Sequence, residues 1–342
     1  MNKNIVIIAS IVIILVGTSI FVLSTLSPEI FLKQPQNNSG EIEKLTIGIE
    51  KSLLTSTFLV AENNGYFKDE GLDVITKEFD SGRNAMLAMF SDESMDMVTA
   101  AQTPIVFNSF DRHDYTIVAT MAQSTNDVKL LARSDHGITT PTDLAGKKIG
   151  TPIGSTGHFF LELFLIKNNI PKSNIELIDI NASELPDALN EGKVDGISAW
   201  EPHIYNAQHL IGNNLILFNT DFFREDFYFI VNDDFEKNDV TIKKFLKAVI
   251  RGENFIKNNP EESKKIISEK LGMDKEFINS VWNDFEFGIT LDQSMLISLE
   301  NEARWAIHAG YSKGNDNIPN YLEYINYKIL EDVKPDVVNI IR

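Results

Sequence analysis

The chain has 342 residues, enough for two lobes of ordinary size, and its hydrophobic (43%) and charged (23%) fractions are those of a folded globular protein. Its net charge of −18 argues against nucleic-acid binding and against docking on anionic lipid, because both need clustered Lys and Arg. With no cysteine there are no disulfides, thiolate metal sites or cysteine nucleophiles, and the redox compartment is left undetermined.

Ile5 to Leu26 is an apolar run broken only by Ala, Gly, Ser and Thr, with no charge between Lys3 and Glu29. As a helix it is ~33 Å long, enough to cross a ~30 Å hydrocarbon core. Lys3 and the amino terminus precede it, so the positive-inside bias keeps that end cytoplasmic. The expectation is a signal-anchor helix over residues 1–27, a single pass in the cell membrane with everything after it extracytoplasmic. A cleaved signal peptide, leaving a secreted or periplasmic chain, is the alternative. Against it, the usual apolar core is about 7–15 residues, and Ser24-Thr25-Leu26-Ser27-Pro28-Glu29 is a weak cleavage site. A polar linker over 28–42 follows, turn-rich from Gln34 to Gly40.

Structured sequence begins near Leu45. Leu45 to Ile49 alternates as a strand should, Leu53 to Asn64 is helical, and Gly65 supplies a stop. Asp73 to Phe79 reads as a strand, Asn84 to Phe90 as a short helix and Met95 to Ala100 as a strand, before Thr103-Pro104 opens another helix. This alternation predicts an α/β lobe with a largely parallel sheet. The pattern returns after residue 130. Strands are expected at Leu130–Ala132, Lys147–Pro152, Glu176–Ile180 and Val194–Ala199, with helices at His158–Asn168 and Leu185–Asn190. From Thr241 the chain reads as mostly helix, with Ile242, Phe245, Leu246, Val249 and Ile250 as a core-facing stripe. No repeat of 20–50 residues suggests a solenoid.

Three segments carry a resemblance. Ala61-Glu62-Asn63-Asn64-Gly65-Tyr66-Phe67-Lys68-Asp69-Glu70-Gly71-Leu72-Asp73-Val74 resembles the first helix–turn–strand of type II periplasmic binding proteins, in the family that binds nitrate, sulfonates, taurine and thiamine precursors. Asp143-Leu144-Ala145-Gly146-Lys147-Lys148-Ile149-Gly150, followed by Gly154-Ser155-Thr156-Gly157-His158, is similar to that family's second-lobe strand and ligand-binding turn. Asp195-Gly196-Ile197-Ser198-Ala199-Trp200-Glu201-Pro202 looks like its third hallmark. The resemblance covers about residues 43–330. It implies two α/β lobes that close on a ligand about two hinge crossings, placed near Ala122–Asn126 and Phe218–Phe223. Lobe I would be discontinuous, 43–125 and 222–342, with lobe II over 126–221. It also implies a role as the capture component of an ABC importer, with permease and ATPase subunits as partners, acting as a monomer.

Open α/β sheets bind ligands at the carboxyl ends of their strands, where helix N-termini point into a crevice. Ser155, Thr156, Gly157 and His158 offer hydroxyls, glycine-exposed N–H groups and a positive helix end; the bland alternative is a Ser/Thr cap on its own helix. Ser52 and Thr55, after the first strand, contact ligand or simply cap. Gln102 and Thr103, with Pro104 suited to a first helical turn, could donate to a ligand. Trp200 could wall the cleft or be a packed aromatic. Glu201 could cap a helix; facing the cleft, it would repel a bare anion and favour a ligand carrying an amine or other donor. Gln123 and Asn126 lie near the first hinge. The expected ligand is a small polar solute, an anion or zwitterion such as a sulfonate, taurine, nitrate or thiamine precursor.

The six histidines form no zinc-protease pair, and there is no P-loop, dinucleotide fingerprint or Gly-x-Ser-x-Gly elbow. No metal or cofactor is expected. The thiamine-pyrimidine synthases that resemble this family rely on a cysteine-rich motif, which this chain lacks. A binding protein is therefore expected over an enzyme on the same fold, and a ligand-sensing surface receptor is the other alternative.

Overall fold

Strand follows helix through most of the chain, and the strands gather into two separate sheets. The structure is a computed structural model that describes residues 42–92, 94–218 and 222–341. The expected anchor helix, and all of the linker but Ile42, lie outside the described residues. Among the described residues no helix is long and apolar enough to cross a membrane.

The larger sheet has seven strands in the order β12-β11-β4-β10-β3-β1-β2. These are β1 (Glu43–Glu50), β2 (Leu72–Phe79), β3 (Met97–Ala101), β4 (Tyr115–Ser124), β10 (Glu225–Asn232), β11 (Phe285–Asp292) and β12 (Val338–Asn339). The smaller sheet runs β7-β6-β8-β5-β9. Its strands are β5 (Lys129–Arg133), β6 (Lys148–Thr151), β7 (Glu176–Asp179), β8 (Gly196–Ala199) and β9 (Leu215–Phe218). Each sheet has its own apolar core: Ile47, Phe58, Phe229 and Phe245 belong to the first, and Leu131, Phe160, Leu185 and Ile197 to the second. The chain leaves the large sheet after Ser124, enters the small one at Lys129, and returns between Phe218 and Glu225.

The sheets are mixed, which corrects the expectation of a largely parallel arrangement. β1 pairs parallel with β2 and β3, and β6 with β7 and β8. The strands that carry the chain between the sheets break the pattern. β10 runs antiparallel to both β3 and β4, and β5 antiparallel to both β8 and β9. The chain leaves by the carboxyl end of β4 and returns to that same end, where Glu225 pairs with Ser124, so the return strand is antiparallel to β4. Met97 to Ala101 and Tyr115 to Ala122 are buried throughout, because helices cover both faces of this sheet.

Candidate functional site

The carboxyl ends of β1, β2, β3, β6 and β8 all feed turns or helices at the junction of the two halves. β2 leads into the Gly82–Ser91 helix, β3 into Gln102–Ser109, and β6 into Thr156–Lys167. Two glycines let these helices dock closely. A Cβ on Gly82 would sit 2.6 Å from Ala100 Cα, and one on Gly157 2.5 Å from the Ser198 carbonyl oxygen. Between the halves remains a small void with room for about one water, lined by Glu50, Ser81, Arg83, Thr156, Trp200 and Glu225 among others.

Acidic groups dominate this junction. Glu50, Asp127 and Glu225 are 4%, 1% and 3% exposed. Burial pushes Glu50 up to about 8 against the pull of the Gly82 N–H, while Asp127 and Asp80 repel its charge. That N–H donates to Glu50 Oε2 across 2.5 Å. Asp127 is raised to about 7, first by burial; Lys129 pulls it back and Glu201 pushes it up. Glu225 is raised well above the carboxylate range by burial and by the charges of Asp127 and Glu50, with the Thr156 hydroxyl opposing. Two carboxyls as close as Asp127 and Glu225 share a proton more readily than both ionise. Asp127 Oδ2 and Glu225 Oε2 accept from no N–H or hydroxyl, which leaves the shared proton to pair them. The Trp200 indole N–H lies near enough to Glu50 to favour its ionised form, yet it makes no hydrogen bond.

Several side chains bridge the halves. The Ser183 hydroxyl donates to Asp80 Oδ2 (2.8 Å), and His203 Nε2 donates to the Asp80 carbonyl (3.0 Å). Burial lowers the His203 pKa, keeping the ring neutral. On the other side, the Trp305 indole donates to Glu162 Oε2 (2.9 Å) and the Tyr311 hydroxyl to Glu162 Oε1 (3.0 Å), with Lys172 paired to the same carboxylate.

The residues singled out from sequence divide into two groups. Ser155, Thr156 and Trp200 line the void. Ser155 also caps its helix, its Oγ accepting from His158 N (3.4 Å). The others are engaged elsewhere. Gly157 packs on β8, its carbonyl accepting from the Ser198 hydroxyl (2.7 Å). His158 is turned away from the void, fully buried, with Nε2 3.0 Å from the Tyr311 hydroxyl and 3.3 Å from Glu162 Oε1. The i, i+4 spacing that pairs it with Glu162 carries its ring to the helix face packed on Trp305 and Tyr311.

Both ends of the Gln102 amide hold β10, accepting from Asp226 N (2.9 Å) and donating to the Arg224 carbonyl (2.8 Å). The Thr103 hydroxyl donates to the buried Glu302 (2.8 Å). Thr55 bonds the Ser52 carbonyl and closes its own turn, while the Ser52 hydroxyl is buried without a partner. Gln123 sits half-buried in β4, opposite Asp226 and Glu286. Asn126 donates to Asp284 (2.8 Å). Glu201 neither faces the void nor lacks a partner: Lys129 Nζ lies 2.9 Å from Oε1, and Oε2 accepts from Tyr205 N (2.9 Å), capping the His203–Ile211 helix.

The carboxyls that sequence reasoning missed had a signal. Glu50 ends an apolar strand, and Arg224-Glu225-Asp226 puts three charges at the head of the apolar run Phe227–Val231. A charge abutting a buried strand at its carboxyl end, or at the head of an antiparallel neighbour, belongs to the same junction. A larger surface concavity of about 650 Å³, lined by Phe90, Asp96, Asp114, Asn232 and Asp233 among others, lies at the amino ends of β3 and β4. It receives neither a strand carboxyl end of β1–β3 nor any residue of the smaller half.

Residues 55–263, more than half the chain, match the family described as NMT1/THI5 like. The chain belongs to the NMT1/THI5-like family. Its similarity extends to a candidate aliphatic sulfonates-binding protein of Bacillus subtilis (strain 168), 23% identical over 256 residues, which are 72% of this chain and 75% of the relative. In fold, the NMT1/THI5-like chain is similar to the alkanesulfonate-binding protein SsuA of Xanthomonas axonopodis pv. citri bound to MOPS. The TM-score is 0.70 at 17% identity, covering 84% of this chain and all of the other. The same fold extends to the desulfurization enzyme DSZB, with TM-score 0.63 at 14% identity over 86% of this chain and 99% of the enzyme.

Proposed function

We propose that this NMT1/THI5-like chain is the extracytoplasmic solute-binding component of an ABC importer, capturing a small polar solute between its two halves. One observation carries the reading. Strand carboxyl ends from both sheets and the N-termini of the Gly82–Ser91 and Thr156–Lys167 helices converge on one void lined by polar side chains. The matched relative is named as a binding protein, which supports capture over the catalysis that DSZB performs on the same fold. The crossing at 125–128 acts in the hinge, and the Asp80 and Glu162 bridges hold the closed form. Residues 1–27 anchor the chain in the membrane, and the closed form docks on a permease driven by ATPases.

Binding shifts the open–closed population, so saturating solute should draw the halves to a single short separation. A solute that binds tightly and leaves their separation unchanged contradicts the reading.

A further inference from the structure

We propose that the captured solute carries a protonated amine or amidine group, held by Glu50, Asp127 and Glu225, and that bare anions are refused. The inference rests on the solute-binding reading and deepens it.

A helix N-terminus is a ready anion site, and two of them face this void. The first is already filled by a carboxyl of the protein, and the second is capped by Ser155 with Glu225 beside it. Glu50 Oε2 accepts from Gly82 N at the head of the Gly82–Ser91 helix, and Glu225 lies against the Thr156 hydroxyl at the head of the Thr156–Lys167 helix. An incoming sulfonate or nitrate would have to displace the Glu50 carboxyl from the first helix and would meet Glu225 beside the second. The nearby cations do not restore balance. Lys129 is paired with Glu201, and the Arg83 guanidinium, which lines the void, is bonded to Asn84 Oδ1 (3.3 Å). No free cation is therefore left to balance an anion, whereas Glu50, Asp127 and Glu225 can give up protons to balance a cation, with His203 neutral beside Asp80.

Trp200 is 97% buried and lines the void, and its indole N–H has no hydrogen-bond partner. This buried donor is set beside the Asp127–Glu225 pair of carboxyls that share a proton. Buried polar groups left in this state cost free energy that a ligand returns by supplying the missing partners. A group with several N–H donors satisfies the carboxyls, and an acceptor elsewhere on the same molecule satisfies the indole. In the empty form the carboxyls keep their protons. A bound cation makes them ionise, so binding releases protons and strengthens as pH rises.

The test is calorimetric titration of the full-length chain with n-propylammonium, acetamidinium and ethanesulfonate, each at pH 6 and pH 8, where both cations stay protonated. The proposal expects a cation to bind, tighter by up to about tenfold per pH unit for each proton released, and ethanesulfonate not to. Glu225→Gln and Glu50→Gln are near-isosteric and relieve repulsion, so each should fold with an unfolding temperature no lower than that of the natural chain. Each should lose the cation binding and its pH dependence; if one fails to fold, the other carries the test. Ethanesulfonate binding that both Gln variants retain or strengthen overturns the assignment of ligand class while leaving solute capture in place. Refusal of both cations at tens of millimolar overturns it as well. Capture itself is then judged by closure with other solutes.

Discussion

At the residue scale, the site depends on how closely single atoms approach. Gly157 has no Cβ because the Ser198 carbonyl occupies that space, and the close seat brings Ser155 and Thr156 to the void. Gly157→Ala should therefore cost about 1–3 kcal/mol by overpacking, read as a lower urea midpoint with unchanged slope. A midpoint equal to that of the natural chain would mean the helix has slack against β8. His158, one residue on, shows the limit of motif reading. The Gly-Ser-Thr-Gly-His string was legible as a strand-to-helix turn, but whether a side chain faces the void or the core depends on a rotation of about 100° per residue about a helix whose direction only packing fixes. Gln102 and Thr103 followed the same course, taken up by β10 and by Glu302, partners more than a hundred positions away.

At the scale of elements, the alternating pattern gave most strands and helices to within a few residues. Leu185–Asn190 is observed as expected, while the strand expected over Val194–Ala199 forms only at Gly196–Ala199. The miss with most consequence was β11, Phe285–Asp292, within a region read as mostly helix. Its period of two (Phe285, Phe287, Ile289, Leu291) was visible, but it pairs with β4, about 160 residues earlier, and no local signal reveals that partner. A second device at this scale joins the Thr156–Lys167 and Gln293–His308 helices through Glu162. Its carboxyl is lowered to about 2, because His158, Lys172 and Trp305 together outweigh the penalty of burial. Glu162→Gln keeps the shape and removes the charge. It should weaken closure by about 1–3 kcal/mol, seen as faster hydrogen exchange at Trp305 and Tyr311 and as looser solute binding. Unchanged exchange and affinity would leave this contact without a part in closure.

For the whole molecule, the buried acids set the response to pH. Glu50 and Glu302 are pushed up to about 8 and Asp127 to about 7, all by burial first. The folded chain then binds more protons than the unfolded chain above pH ~4.5, so stability falls as pH rises. The loss begins near pH 5 and is complete as pH passes 8. The melting temperature should accordingly drop by several degrees between pH 5.5 and pH 8. A flat or rising profile would mean that these carboxyls are solvated, and with them the void. The two sheets and the fold family were legible because strand–helix alternation and three short segments carry them. The acidic character of the junction was not, since it arises where Glu50, Asp127 and Glu225, far apart in sequence, meet.

Capture between two halves is the central claim, and the absence of native cysteine makes it directly measurable. Ile75 in the larger half and Ile166 in the smaller are 46% and 66% exposed, so cysteines placed there take spin labels without disturbing either core. The measurement is the distance distribution between these labels by pulsed electron resonance, without solute and with a saturating amine, amidine or sulfonate. The account predicts a broad or two-peaked distribution without solute that collapses to its shortest component when the right solute binds. A distribution that saturating, calorimetrically confirmed solute leaves unchanged would contradict it.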